Sequence, residues 1–280
     1  MLFCIQLLVF FTSCKKELPI DAAVIAQQLV VEGYIEQGRY PRVYLTKTSP
    51  YFQTIDSAAM WKLLGSVGKV TVATESDTEV LTLRSNFKQF PPFYFEGTEI
   101  KGKVGEVYHL KVELHGKVYT AKTTITPPVP LSHLEVKTNP IDASKKYFLI
   151  RFLDPPFQKN YYKIYLKRIG IDQDFMPSYL STFTDFQNDG QENRFEVLKG
   201  YSPLVDKEIN RYFKKGDSVL LKFCTINEQQ FDYWKKIESL LTISSNPFGL
   251  STADAPSMID GGALGIWSGQ GANYYNIKVK

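Results

Sequence analysis

The chain has 280 residues, a net charge of +4 and a high share of aromatic side chains, with 17 Tyr and 19 Phe. This length allows a full hydrophobic core and suits two domains of ordinary size, and the aromatic content favours β-structure, where such side chains fit a pleated surface. Because the charged residues are scattered along the chain without a basic block, the sequence excludes nucleic acid as an expected partner.

The chain begins with an apolar segment, residues 1–13, that ends directly before Cys14. An apolar run of about ten residues is too short to span a bilayer as a helix, but it suits an export signal peptide. The small residues Thr12 and Ser13 before the cysteine are typical of a bacterial lipobox, in which the thiol is acylated, as by palmitate, and starts the mature chain. We therefore predict a lipid attached to Cys14 and a tether over residues 14–27. A cleaved signal or a buried apolar strand is the alternative.

Residues 28–126 contain seven short strand-like runs separated by Gly, Pro and Asn turns. Short strands at this spacing predict an immunoglobulin-like β-sandwich. Gly105 and Tyr108 precede Leu110 in the way that a tyrosine corner precedes a core position of such folds. We therefore expect the Tyr108 hydroxyl to hydrogen-bond to backbone upstream of it.

Three prolines in the segment Thr126–Pro130 remove backbone donors and favour a stiff, extended connector. We therefore place a Pro-rich linker at residues 127–130 and a domain boundary there. Strand-like runs continue in residues 131–280 and predict a second β-sandwich. Near the C-terminus, residues 262–267 and 274–279 are predicted as two closing strands around a glycine-rich turn.

The periodicity changes within the second half, where apolar residues recur at helical spacing at Trp234, Ile237 and Leu241. Asn227 stands at the position of an N-cap, and Gln230 follows three residues later. This pattern predicts one amphipathic helix at about residues 228–242. Packing of its apolar stripe on the sheet is the ordinary explanation, and a groove for a partner is the alternative.

Candidate catalytic residues are few in this sequence. The motif around Ser268 is not Gly-x-Ser-x-Gly, so it does not predict the strained turn of a serine hydrolase. His109, Glu113 and His115 share one face of a predicted strand, but an exposed polar face explains them better than a metal site. Cys224 lies in an apolar strand-like run and is expected to be buried. We predict no catalytic residue, no metal ligand and no cofactor, and therefore a protein that is not an enzyme.

One segment resembles a calcium-binding loop. Asp185–Glu196 places oxygen ligands at positions 1, 3, 5, 9 and 12 and Gly190 at position 6. Gln187 replaces the usual acid, and neither flank predicts a helix. Asn-Asp-Gly at residues 188–190 is also an ordinary hairpin turn. The segment therefore has two interpretations, a calcium-binding loop and a hairpin turn without a metal.

Aromatic residues gather in the long connections of the first half. They include Tyr51, Phe52 and Trp61, and a second group runs from Phe90 to Phe95. Such side chains in loops are frequent anchors of protein interfaces. We therefore name Tyr51, Phe52 and Trp61 as partner-binding residues, with a second layer of core under long loops as the alternative.

Several short motifs follow the lipobox in a fixed order, namely Val30–Ile35, Leu45–Thr48, Gly105 with Tyr108, Asp154-Pro155 with Tyr161-Tyr162, Asn246–Phe248 and Gly261–Trp267. Together they resemble the DUF4249 family of Bacteroidota lipoproteins. The resemblance runs from Cys14 to the C-terminus and supplies no catalytic residues. It implies an outer-membrane lipoprotein of unassigned function, often encoded beside TonB-dependent receptors of the SusC type.

From the resemblance we expect a non-enzymatic binding or assembly partner of such a receptor, held to the outer membrane by its N-terminal lipid. Location on the periplasmic face and location on the cell-surface face of that membrane are the two alternatives. A structural or adhesive cell-surface lipoprotein without a role in transport is the alternative function.

Overall fold

The computed structural model describes residues 27–48, 68–89, 91–185, 189–201, 206, 208–243 and 256–280. These residues form mainly β-structure, as predicted. The strands are β1 Leu29–Glu36, β2 Arg42–Lys47, β3 Lys69–Ala73, β4 Thr78–Val80, β5 Thr82–Ser85, β6 Phe93–Glu96, β7 Val107–Leu114, β8 Lys117–Thr124, β9 His133–Thr138, β10 Lys146–Leu153, β11 Tyr161–Arg168, β12 Met176–Thr184, β13 Glu192–Val197, β14 Ser218–Ile226 and β15 Leu264–Lys278, and the helix α1 is Glu228–Ile243.

The strands form three sheets of different length. The longest, here the long sheet, has eight strands in the order β12-β11-β14-β15-β1-β2-β6-β5. A four-stranded sheet, β4-β3-β7-β8, belongs to the first half of the chain, and a three-stranded sheet, β13-β10-β9, belongs to the second half. The long sheet therefore contains strands from both halves of the sequence.

Two hydrophobic cores lie against the same face of the long sheet. The first core includes Val31 of β1 and packs it with Val112 of the four-stranded sheet. The second core includes Phe223 of β14 and packs it with Phe148 of the three-stranded sheet. Alternate side chains of each strand enter these cores because successive residues of a strand point to opposite faces. Each half is therefore a β-sandwich, as predicted, with one layer in common.

Strand β15 joins the two sandwiches. Its first part pairs in parallel with β1, and its second part pairs antiparallel with β14. Trp267 lies in the first core, and Ile277 packs against the second. The prediction of two closing strands around a glycine-rich turn is wrong, because residues 264–278 form one strand of about 50 Å. The predicted boundaries also need an amendment, since residues 28–126 lack a strand that their own sandwich uses.

The proline-rich linker is fastened to the strands beside it. The Thr126 hydroxyl donates to the Thr225 carbonyl at 2.8 Å, and the Val129 N–H donates to the Thr225 hydroxyl at 3.1 Å. The Asn273 amide donates to the Val129 carbonyl at 2.9 Å. At Gly271 a Cβ would lie only 2.1 Å from the Thr126 carbonyl oxygen, so this approach requires glycine. The linker is therefore a fixed connection that is held against β14 and the shared strand β15.

The predicted tyrosine corner is confirmed. The Lys103 N–H donates to the Tyr108 hydroxyl at 2.7 Å, and this hydroxyl lies 3.3 Å from the Lys101 carbonyl oxygen. Tyr108 itself is fully buried in the first core. Beside it, the buried Glu79 carboxylate accepts hydrogen bonds from the backbone of the turn that follows β6. These contacts fix the turns that lead into β7.

The predicted helix is present as α1, with bounds within one residue of the expected ones. The Asn227 side chain accepts a hydrogen bond from the Gln230 N–H at 2.9 Å, which confirms the N-cap. Phe231 and Trp234 pack against a third cluster on the opposite face of the long sheet, while the Leu241 side chain lies outside the described part. No helix among the described residues is long and apolar enough to cross a membrane.

Candidate functional site

The face of the long sheet that points away from the two cores is here called the outer face. In the first half it carries tyrosine and charged side chains rather than a core. We define the outer patch by six of these residues from β1, β2 and β6, namely Glu32, Tyr34, Arg42, Tyr44, Tyr94 and Glu96. They alternate with core residues along each strand, so the strands themselves fix their positions.

Arg42 organises the outer patch. Its guanidinium donates to the Glu96 carboxylate at 2.5 Å and lies 4.4 Å from the centre of the Tyr94 ring. The rings of Tyr44 and Tyr94 are 5.9 Å apart. An arginine held by both a carboxylate and an aromatic ring has few rotamers left to lose when it binds a partner. Tyr44 is buried, so the accessible part of this preformed patch consists of the charged groups and the half-buried rings of Tyr34 and Tyr94.

A buried ion pair crosses the outer face at the middle of the long sheet. The Lys222 ammonium of β14 lies 2.8 Å from the Glu36 carboxylate of β1, and it donates to the Gln270 amide oxygen of β15 at 3.0 Å. The Tyr274 hydroxyl donates to the other Glu36 oxygen. Glu36, Lys222 and Gln270 are all almost fully buried. The ion pair therefore links the first half to the second across the shared strand.

The ion pair shifts the pKa of both partners. Burial alone would raise the pKa of the Glu36 carboxyl, but attraction to Lys222 and the hydrogen bonds that it accepts hold this pKa below its usual value. Burial alone would lower the pKa of Lys222, but attraction to the Glu36 carboxylate and the hydrogen bond to it help to hold this pKa above its usual value. Both groups are therefore charged at neutral pH.

A second buried lysine, Lys163, lies under helix α1. Its ammonium donates to the hydroxyls of Ser181 at 2.8 Å and Thr182 at 3.1 Å, and it lies 4.1 Å from the centre of the Trp234 ring. Both hydroxyls donate in turn to the Glu238 carboxylate of the helix. Burial lowers the pKa of Lys163 to about 7. Through Trp234 and the two hydroxyls, Lys163 links helix α1 to the sheet. Because its side chain has no exposed surface, a substrate cannot reach it.

Three carboxylates meet at the edge of the second sandwich. Oxygen atoms of Asp154, Asp185 and Asp189 all lie within 4.8 Å of one another, and the first two residues are buried. Burial, and after it the neighbouring Asp185 carboxylate, raise the pKa of Asp154, although the hydrogen bond from Tyr162 opposes them. Carboxylate oxygens are the ligands that Ca²⁺ prefers. Of the described groups, this acidic trio has the donor chemistry to hold a divalent cation.

The acidic trio is not the calcium loop that the sequence resembles. Asp185 and Asp189 belong to that motif, but Asp154 comes from the end of β10. The last ligand of the motif, Glu196, lies within strand β13 and pairs there with Leu149. A strand cannot fold back on the first ligand as the twelfth position of a calcium loop must. Gln187 lies outside the described residues.

A cleft of about 400 Å³, here called the junction cleft, opens between the linker and the second half of the chain. Its walls come from the linker, from the connection between β10 and β11, and from the start of α1. Most of its lining is apolar and includes Pro127, Pro130, Leu153 and Tyr161. The Tyr161 hydroxyl donates to the Glu228 carboxylate at 2.6 Å. The volume falls within the usual range of ligand pockets.

The site residues named from the sequence have different outcomes. Cys14, Tyr51, Phe52 and Trp61 lie outside the described residues, so their roles stay predictions. Within the second aromatic group Phe95 is part of the first core, while Phe93 and Tyr94 are half-buried.

Other residues weighed from the sequence are placed by the structure. Cys224 is buried, as predicted, and burial raises the pKa of its thiol to about 12. Ser268 is buried in β15. Glu113 lies 3.0 Å from the Lys111 ammonium, and His115 stands in the turn after β7 rather than on the strand face with His109. The three residues of the considered metal site therefore do not share one face.

Sequence reasoning missed the buried ionisable groups of the outer face. Lys163 and Lys222 each stand in a strand between two residues with apolar or aromatic side chains, as in Tyr162-Lys163-Ile164. A strand that is covered on both faces lacks the polar alternation of an exposed sheet. A lysine inside such a run was the available signal that a buried partner was needed.

We predict that Glu36→Gln destabilises the protein by about 3–5 kcal/mol at neutral pH, because it leaves the Lys222 charge buried without its partner. The folded-state pKa of Glu36 is below its unfolded value, so its contribution is complete above the unfolded pKa and disappears as the pH falls through the folded pKa. The difference between wild type and variant in urea denaturation should therefore shrink below about pH 4.

Two further variants act as controls for this prediction. Glu135→Gln removes an exposed carboxylate that pairs with Lys137 and should shift the urea midpoint little. The double variant Glu36→Gln with Lys222→Met should recover most of the lost stability, because no buried charge is left unpaired. A Glu36→Gln midpoint equal to that of Glu135→Gln at neutral pH would contradict the role of the ion pair.

Comparison with known proteins identifies the family of the chain. A family model described as "Domain of unknown function (DUF4249)" matches residues 15–271. No curated protein matched the chain. The crystal structure of the FN1–FN3 domains of chicken CNTN1 is 10% identical, with 90% of this chain and 67% of that chain covered and a TM-score of 0.24. The chicken interferon gamma receptor alpha chain is 8% identical, with 71% and 88% covered and a TM-score of 0.21. Because the family model spans most of the sequence, the chain belongs to the DUF4249 family.

Proposed function

We propose that this protein is a lipid-anchored outer-membrane protein that acts as a non-enzymatic binding or assembly partner of a TonB-dependent receptor of the SusC type. The lipobox at Cys14 supports the anchor, and the resemblance to lipoproteins encoded beside such receptors supports the partner. The outer patch is the structural observation that carries the binding role.

The outer patch has the composition of a protein interface. Tyrosine and arginine are enriched at interfaces, because they combine a large contact area with hydrogen bonding at a small cost in side-chain entropy. Arg42 and Tyr94 are held in place by each other and keep part of their surface accessible, while Tyr44 beside Tyr94 is buried. A surface on a rigid sheet positions such groups more accurately than a loop does. The outer patch therefore suits recognition of a folded partner.

The predicted partner-binding residues follow strand β2 of the outer patch in the sequence. Strand β2 carries Arg42 and Tyr44 and ends at Lys47. Tyr51, Phe52 and Trp61 follow directly in the sequence, before β3 begins at Lys69. The segment that holds these aromatic residues thus leaves from one strand of the outer patch.

The buried ionisable groups favour binding over catalysis. Shifted pKa values often mark active sites, but only where substrate can reach the group. Lys163 and Cys224 have no exposed surface, and Lys222 is engaged by Glu36 and Gln270. Their shifts follow from their structural roles in the outer face. An assembly role asks for such a rigid body and for no reactive group.

We predict that Cys14→Ala abolishes membrane retention, because acylation supplies the hydrophobic attachment once the signal is removed. Membrane fractionation and labelling with a palmitate analogue measure this. The wild type should label and sediment with the outer membrane, whereas the Cys14→Ala chain should do neither. Equal label in both proteins would contradict the lipid anchor.

We predict that the triple change of Tyr51, Phe52 and Trp61 to serine releases the receptor in a pull-down from detergent-solubilised membranes. The melting temperature should stay nearly unchanged, because an interface residue contributes little to the fold of the free protein. A matched control replaces Ile141, Ile171 and Ile209, which are exposed in the second half, by serine, and it should retain the receptor.

The melting temperature separates the two explanations of these aromatic residues. A large fall would show that they belong to a core under the loops. Unchanged co-purification with an unchanged melting temperature would remove them from the interface, and absence of any receptor in the wild-type pull-down would favour a structural or adhesive protein.

A further inference from the structure

The connection between β10 and β11 presents an aromatic side chain to solvent. Phe157 is 96% exposed and has a φ of +66°. A bulky residue rarely adopts this left-handed conformation, and such strain persists only where the surroundings impose it. Residues 154–160, here the knob loop, therefore hold Phe157 outward at a cost in free energy.

The knob loop is rigid despite its exposure. The Phe157 N–H donates to the Asp189 carboxylate at 3.2 Å. The Asn160 side chain donates to the Pro155 carbonyl at 2.9 Å, and the Asn160 N–H donates to the Asp185 carboxylate at 3.1 Å. These bonds tie the middle and the last residue of the loop to the acidic trio and close the loop on itself. A rigidly presented aromatic ring loses little entropy on binding, as is typical of interface anchors.

The junction cleft begins at the base of the same loop. Pro155, Gln158, Lys159 and Asn160 of the knob loop form one wall of the cleft, and Phe157 stands between them. An apolar projection and an apolar depression are thus adjacent on one surface. A two-fold axis that passes between them places each projection of one copy opposite the depression of the other. Such a surface is self-complementary.

We propose that two copies of this chain associate through the junction, with Phe157 of each copy entering the junction cleft of the other. The cleft of about 400 Å³ has room for a phenyl ring and offers it proline and leucine side chains. This proposal goes beyond the binding of a receptor, because it uses the junction and leaves the outer patch free.

The charges around the junction cleft support a second copy as the occupant. Lys159 is exposed on the knob loop, and Glu228 is exposed on the opposite wall. When each knob loop approaches the other cleft, Lys159 of one copy meets Glu228 of the other on both sides of the axis. A single ring and two rim ion pairs bury less surface than a permanent dimer needs. The dimer is therefore weak and depends on concentration.

Sedimentation velocity of the detergent-solubilised full chain over a range of concentrations tests this inference. The wild type should shift from monomer to dimer as its concentration rises. Phe157→Gly relieves the strained φ, so the melting temperature should be equal or higher. Because it also removes the ring, it should raise the dissociation constant of the dimer about tenfold or more. Ile141→Gly removes a side chain that is 95% exposed elsewhere in the second half, and it should dimerise like the wild type.

Charge reversal tests the orientation of the two copies. Lys159→Glu and Glu228→Lys should each weaken the dimer, and the double variant should restore it, because the pair is re-formed with opposite signs. A wild type that stays monomeric, a Phe157→Gly variant that dimerises like the wild type, or a double variant weaker than both single variants would overturn the proposal. Open-ended polymers would also overturn it, because a two-fold contact closes. Receptor retention by the Phe157→Gly variant keeps this test separate from that of the outer patch.

Discussion

Strand β15 is the constraint on which the rest of the structure depends. It pairs with β1 of the first half and with β14 of the second, and it supplies side chains to both cores. The halves are therefore two sandwiches built on one sheet. At Gly265 a Cβ would lie 1.9 Å from the Val31 carbonyl oxygen, and at Gly271 a Cβ would meet the linker. These glycines let β15 lie close to its neighbours on both sides of the junction.

A buried ion pair on the outer face also connects the strands of this shared layer. Glu36 and Lys222 come from strands on opposite sides of β15, and Gln270 of β15 joins them. A buried ion pair contributes little net stability compared with apolar residues, but removal of one partner is costly. We regard its role here as one of register, because a slip of β1 or β14 by one residue would carry one of the charged side chains into a core. The same rigidity gives the proposed binding surfaces their fixed positions.

Local features of this fold could be predicted from the sequence, and distant ones could not. The Tyr108 corner and the Asn227 cap depend on residues a few positions apart, so their spacing is visible in the sequence. The parallel pairing of β1 with β15 joins residues more than 200 positions apart and leaves no periodic signal. Glycines near residue 270 indicated a turn, yet they serve close packing against the linker. The sequence brought together only two carboxylates of the acidic trio, Asp185 and Asp189, because Asp154 is remote from them along the chain.

Differential scanning calorimetry of the full chain tests the central claim most directly. If β15 makes one cooperative unit of the two sandwiches, the protein unfolds in a single transition whose calorimetric and van't Hoff enthalpies agree. The same single transition should persist in the Glu36→Gln variant at a lower temperature, because the strand still joins both cores. Two separated transitions in the wild type, each with the enthalpy of one half, would contradict the account and show that the halves unfold independently.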